Sequence, residues 1–192
     1  MNDKIVHRGP DDFGLWANDQ AGFGMRRLSI VDLNGGHQPI WHENVGIVFN
    51  GEVYNHHELR KDLIDLGYNF TTKSDTEVVL KAYYCWGESF LQRLTGMFAI
   101  CIIDLRTNIS LIARDHTGIK PLYLCNHQGQ IYFASEIKSF EGILPLSEID
   151  YSSINDYLTF RFIPSEKTAW KNVKKLKPGS YLKTNLETME TQ

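Results

Sequence analysis

The chain has 192 residues, of which 42% are hydrophobic and 22% charged, with a formal net charge of −3. That is material for one domain with a substantial core, and the balance of an ordinary globular protein. No Lys/Arg run exceeds the pair Lys174-Lys175, no apolar stretch approaches the roughly 18 residues of a membrane span, and Met1-Asn2-Asp3-Lys4 lacks a secretory core, so nucleic-acid and membrane partners are excluded and a cytoplasmic location is expected.

In chain order, His7-Arg8-Gly9-Pro10-Asp11-Asp12 reads as a polar, turn-rich loop before a short strand from Phe13 to Ala17. A further strand runs from about Gly22 to Ile30, interrupted by Arg26 and Arg27. Two successive side chains on a strand point to opposite faces, so one arginine is directed at whatever the sheet covers. Asp32 to Gly36 reads as a turn, and His37 and His42 fall in a loop. Neither they nor His56-His57 have partners at metal-ligand spacing, so no metal is assigned.

Gly46 to Phe49 is an apolar strand entering Asn50-Gly51-Glu52. Asn-Gly between apolar runs is a favoured hairpin turn, both residues tolerating positive φ. The same two residues could instead supply an amide and a backbone N–H to a developing oxyanion, with Glu52 beside them to hold an ammonium. Asn55 to Leu66 has helical spacing of Leu59, Leu63, Ile64 and Leu66, an N-cap in Asn55 and a stop at Gly67. Ser74 with Glu77 is a capping-box pattern heading a second amphipathic helix; Asp75 could equally accept hydrogen bonds from a ligand amine.

A short helical piece covers Leu91 to Thr95. The period then turns extended, giving a hairpin from Met97 to Leu105 and Leu111-Ile112, and a second from Leu122 to Cys125 and Ile131 to Ala134 turning at Gln128-Gly129. Arg114 to Pro121 is a polar loop that shapes the fold. Helices follow near Glu136 and from Ser152 to Leu158, then a last strand near Leu182. Residues 186–192 read as the start of a linker. Cys85, Cys101 and Cys125 are odd in number and share no CxxC spacing, so they read as buried reduced thiols. Serial hairpins with grouped helices argue for an α+β fold of antiparallel sheets, and no nucleotide-phosphate loop is present.

Taken together, HRGPDD at 7–12, RRLSIVDL at 26–33, FNGEVYN at 49–55, KSDTEV at 73–78, LTGMFAICIID at 94–104, RDHTGIKPLY at 114–123 and FASEIKSF at 133–140 resemble, in order and spacing, the glutaminase domain of glutamine-hydrolysing asparagine synthetase, a class II amidotransferase. The resemblance covers nearly the whole chain. It implies the N-terminal-nucleophile hydrolase fold: a four-layer sandwich, two antiparallel sheets between helical layers. It also implies a reaction on L-glutamine, in which a cysteine at the mature amino terminus attacks the side-chain amide with its own α-amine as base. Such an amine titrates at about 7.7–8.0, close to working pH. A thioester forms, ammonia leaves, and water completes the hydrolysis.

Carried onto this chain, Asn50 and Gly51 would be the oxyanion donors, Arg27 would pair with the glutamine α-carboxylate, and Glu52 and Asp75 would hold its α-ammonium. His7, Arg8 and Asp11 would frame the pocket. The family's HRGPD string follows a first strand, a helix and a terminal Cys-Gly, which this chain lacks, so residues 1–185 are expected to be an amidotransferase domain missing its first strand and its nucleophile, inactive as it stands. ATP and Mg belong to a synthetase domain expected beyond residue 192. The lost strand implies a gap, a homodimer or marginal stability. Other readings are an amidotransferase acting on another carboxylate, or a non-catalytic glutamine-binding or scaffold module.

Overall fold

The computed structural model describes residues 1–29, 32, 35–146 and 148–192. The end of the second expected strand, at Ile30 and Val31, and part of the Asp32 to Gly36 turn lie outside the described residues.

The centre is a pair of apolar strands, β4 (Val45–Val53) and β5 (Gly96–Asp104), antiparallel over their whole length from Val45↔Asp104 to Val53↔Gly96. Val45 to Phe49 and Phe98 to Asp104 are buried throughout, because both faces of this part of the sheet are covered. β3 (Ile40–His42) flanks β4, and β6 (Ile109–Arg114) with β10 (Tyr181–Asn185) completes the order β10-β6-β5-β4-β3. On one face, Ile47, Phe49, Val53, Phe98, Ile100 and Ile102 pack against helices α1 (His56–Asp65) and α2 (Asp75–Trp86) through Leu59, Leu63, Val78 and Val79. Period-2 alternation sends the intervening residues, Val48, Ala99, Cys101 and Ile103, to the other face, where they meet Phe23, Leu122 and Leu176.

That second layer consists of two separate pieces: β1 (Asp12–Ala17) paired with β2 (Gly22–Arg27), and β7 (Tyr123–His127) flanked by β8 (Gln130–Ala134) and β9 (Val173–Lys175). Beyond β7 to β9, a third cluster around Cys125, Phe140, Leu144 and Val173 joins them to a 3-10 turn (Ile137–Phe140). Helix α3 (Tyr151–Phe160) follows, its N-cap Asp150 accepting from Ser152 and Ser153. The layers run helix, sheet, sheet, with the 3-10 turn packed beyond the second sheet, and that sheet is in two parts. Neither β2 nor β8 has a strand on its second edge among the described residues.

Five local expectations are corrected. Asn50-Gly51 is no turn: β4 runs straight through it, since the ladder to Ala99 and Phe98 continues on the far side. The His7 to Asp12 stretch opens on the last two residues of a 3-10 helix (Asn2–Arg8), and His42 closes a strand, not a loop. The capping box is half made: Ser74 accepts from the Thr76 N–H at 3.1 Å, while Glu77 turns to Thr71 and Thr72. Residues 186–192, expected to open a linker, fold back along β10, with Leu186 buried and Lys183 and Gln192 exchanging both backbone hydrogen bonds.

Candidate functional site

The free edge of β4 organises the site. β3 pairs with β4 only as far as Ile47, and beyond that point odd-numbered residues of β4 present their N–H groups away from β5. The buried Gln38 carboxamide takes the place of a strand at Phe49, accepting from its N–H at 2.6 Å and donating to its carbonyl at 3.1 Å. Four residues on, the Val53 N–H donates to the Asp75 carboxylate at 3.0 Å. The Gly51 N–H lies between these two and, by the same parity, faces out of the same edge. At the pair Gly51↔Phe98 the opposite residue gives both its backbone groups to Asp115, which confirms that Gly51 is not bonded across the ladder.

Gly51 is required here. Its φ is +154°, and a Cβ would stand 2.0 Å from the Met97 carbonyl oxygen. Asn50 and Glu52, two apart, share the opposite face of the strand from Phe49 and Val53. Glu52 is exposed, whereas Asp75 is buried at the start of α2. Burial pushes the Asp75 carboxyl above its usual range, opposed by the Val53 N–H and by the charge of His56.

Arg27 is reached by a bridge. Its buried guanidinium donates to the Asp32 carbonyl at 2.8 Å, and the Asp32 carboxylate accepts the Lys73 N–H at 2.7 Å, two residues before Asp75. That Lys73 N–H, foremost, holds the Asp32 carboxyl below its usual range. Gly36 leaves room for Arg27, since a Cβ there would lie 2.3 Å from its Nη2. As the sequence implies for two successive arginines, Arg27 turns inward, while Arg26 pairs with Asp3 at 2.6 Å.

A cavity of about 610 Å³ adjoins the site. It lies between β2 and β8, with Val48 to Asn50 and Ala99 to Cys101 as its floor and Met1 to Arg8 at one end. Of the five candidate residues only Asn50 lines it; Arg27, Gly51, Glu52 and Asp75 do not. Two lining residues, Arg26 and Ser139, carry a buried atom, Nε and Oγ respectively, with no hydrogen-bond partner among the described residues.

The framing residues are accounted for structurally. His7 and Arg8 pair with Glu136 at 2.9 and 3.2 Å, and Asp11 accepts the Ser29 N–H. In the Arg114 to Pro121 loop, the fully buried Asp115 collects the N–H groups of Phe98, Thr117, Ile119 and Lys120, a role in shaping the backbone. Cys101 and Cys125 are buried free thiols and Cys85 is half-buried; burial pushes the Cys101 and Cys125 thiols up. Sequence reasoning missed Gln38 and Asp32, whose side chains serve the backbone across long separations that local pattern does not record.

A family model described as a glutamine amidotransferase domain matches residues 1–192. Asparagine synthetase [glutamine-hydrolyzing] 1 of Bacillus subtilis (strain 168) is 42% identical over 208 residues, covering 100% of this chain and 33% of that protein. Asparagine synthetase B [glutamine-hydrolyzing] of Escherichia coli (strain K12) is 47% identical over 136 residues, 69% of this chain and 24% of its own length. The chain thus spans about a quarter to a third of the length of these relatives. Among solved structures, the glutamine phosphoribosylpyrophosphate amidotransferase of Bacillus subtilis, complexed with ADP and GMP, superposes with a TM-score of 0.66 over 99% of this chain and 44% of its own, at 20% identity. That likeness bears out the α+β fold of N-terminal-nucleophile hydrolase type. By its sequence over all 192 residues, the chain belongs to the glutamine amidotransferase domain family.

Proposed function

We propose that this chain is the glutaminase domain of a glutamine-hydrolysing asparagine synthase, supplying ammonia for ATP-dependent amidation of aspartate in a cytoplasmic enzyme. The observation that carries the reading is the edge of β4, where the Gly51 N–H stands between two N–H groups already taken by Gln38 and Asp75. With the Asn50 amide beside it, it forms a pair of donors for the oxyanion that develops when the glutamine amide carbon is attacked. Fixed donors of this kind cost no reorganisation in the transition state. Glu52 and Asp75 take the α-ammonium, and Arg27 takes the α-carboxylate with its planar fork. The raised Asp75 carboxyl fits this role, because an arriving cation supplies the charge partner that burial withholds.

The nucleophile is the cysteine that heads a first strand in the resembling family. In this reading that strand occupies the cavity between β2 and β8, next to Asn50. None of the three cysteines here substitutes for it: Cys101 lines the cavity floor, but its thiol is pushed up by burial, and only a thiolate attacks. In this reading these residues supply glutamine binding and the oxyanion donors, and Cys85, Cys101 and Cys125 are not the nucleophile. ATP and Mg are assigned to the synthetase domain, with no residue of this chain given to them.

Isothermal titration of the chain with L-glutamine tests this. One molecule should bind per chain, with binding lost in Arg27→Ala and no ammonia released. Absence of binding would overturn the site, and sustained ammonia release would overturn the account of the nucleophile.

A further inference from the structure

The two charged ends of the glutamine site come from segments remote in sequence: Arg27 closes β2, and Asp75 opens α2. Asp32 joins them. Its carbonyl accepts from the Arg27 guanidinium at 2.8 Å and from the Gly36 N–H at 3.0 Å, and its carboxylate accepts the Gly35 N–H at 2.9 Å and the Lys73 N–H at 2.7 Å. The φ of Asp32 is +51°, a left-handed conformation that costs free energy in any residue but glycine and persists only where the surroundings hold it. The neighbouring glycines leave room for the join. A Cβ on Gly35 would stand 2.5 Å from the Asp32 carboxylate, and one on Gly36 would stand 2.3 Å from the Arg27 guanidinium. The Thr71 to Ser74 segment is held from the helix side as well, where Glu77 accepts the Thr71 and Thr72 N–H groups and Arg60 donates to the Thr72 and Ser74 carbonyls at 2.9 and 3.0 Å. Those contacts fix it to α1 and α2, whereas the Lys73 N–H ties it to Asp32 and through Asp32 to Arg27.

We infer that Asp32 is a positioning residue that sets the span between the carboxylate end and the ammonium end of the site, and so selects ligands that carry both groups on one carbon. The inference rests on the glutamine reading above and deepens it. A ligand held at both ends gains fully from the second contact only when the two partners already stand at the right separation; otherwise ordering them cancels part of the gain. A ligand held at one end gains nothing from that separation. Charge by itself acts in the other direction at Arg27, since removing a nearby carboxylate leaves the guanidinium more attractive to an anion. The two effects therefore differ in sign for a ligand that carries only the carboxylate.

The test is an NMR titration of the whole chain with three ligands: L-glutamine, glutaramic acid, which lacks the α-amino group, and 4-aminobutanamide, which lacks the α-carboxylate. Asp32→Ala keeps the backbone carbonyl that holds Arg27 and removes the carboxylate that holds the Lys73 N–H. It should bind L-glutamine about tenfold more weakly. Its affinity for 4-aminobutanamide should stay within about twofold of the unsubstituted chain, and glutaramic acid should bind as well or better. Asp32→Asn keeps one acceptor oxygen, so its glutamine affinity should fall between the other two, and it carries the comparison if the alanine variant does not fold. Unchanged glutamine affinity in both variants, or losses of equal size for all three ligands in Asp32→Asn, would overturn the inference while leaving the glutamine site standing. If the unsubstituted chain took up no glutamine, the site and the inference would fall together.

Discussion

Glu77 holds the segment that carries Asp75, and the strength of its hold can be worked out. Its carboxylate accepts the Thr71 N–H at 3.0 Å and the Thr72 N–H and hydroxyl at 2.7 Å each, and pairs with Lys81 at 2.9 Å. Burial pushes the carboxyl up, but the Thr71 N–H, the Lys81 ammonium and Thr72 outweigh it and bring it from 4.5 down to about 2. A carboxyl depressed by folding contributes stability that is complete above its unfolded pKa and is lost as pH falls through the folded one. The window here runs from 4.5 down to about 2. At 1.36 kcal/mol per tenfold, the contribution is about 3 kcal/mol at pH 7 and about 1.4 kcal/mol at pH 3. The side chain is only 4% exposed, so solvent screening takes little from this.

Urea unfolding of the native chain and Glu77→Gln, followed by tryptophan fluorescence at the two pH values, reads the difference directly. The variant should be less stable by about 3 kcal/mol at pH 7, and by about half that at pH 3. A deficit below about 1 kcal/mol at pH 7, the size of an ordinary substitution, would show that an ionised Glu77 is not the clamp. So would a deficit that is the same at both values.

Asp75→Asn should raise the urea midpoint or leave it unchanged while lowering glutamine affinity by at least about tenfold, measured by denaturation and calorimetry on the same sample. The sign follows from burial: a carboxyl raised by folding gives up stability as pH climbs from 3.8 through its folded pKa, and the amide removes that loss. Gly51→Ala should destabilise the chain by about 3 kcal/mol or more in urea, because its Cβ meets backbone and not a movable side chain. In hydrogen exchange, alternate amides of β2 and β8 should exchange far faster than those of β5, which has a strand on each side; uniform protection along β2 and β8 would mean that their second edges are covered.

Much of this protein was legible in its residues. Apolar runs with period-2 spacing located β4, β5 and the hairpins, and helical spacing with Asn55 and Ser74 located α1 and α2 to within a residue or two. The inward arginine of the pair was expected from alternation, and Arg27 is the buried one. Local pattern failed where a distant partner decided the outcome. Asn50-Gly51 has the chemistry of a hairpin turn, yet β5 lies opposite it throughout, and a continuous ladder outweighs a turn preference worth a fraction of its hydrogen bonds. Which way the Gly51 N–H faces depends on the register with Phe98, which no neighbouring residue encodes. The same is true of Gln38 standing in for a strand at Phe49, and of Asp32 reaching Lys73 across 41 positions. Composition and periodicity determine which residues can form strands and which carry charge. The direction in which a polar group points, and whether it is already occupied, is set by pairing between remote segments, and so only the tertiary structure decided it.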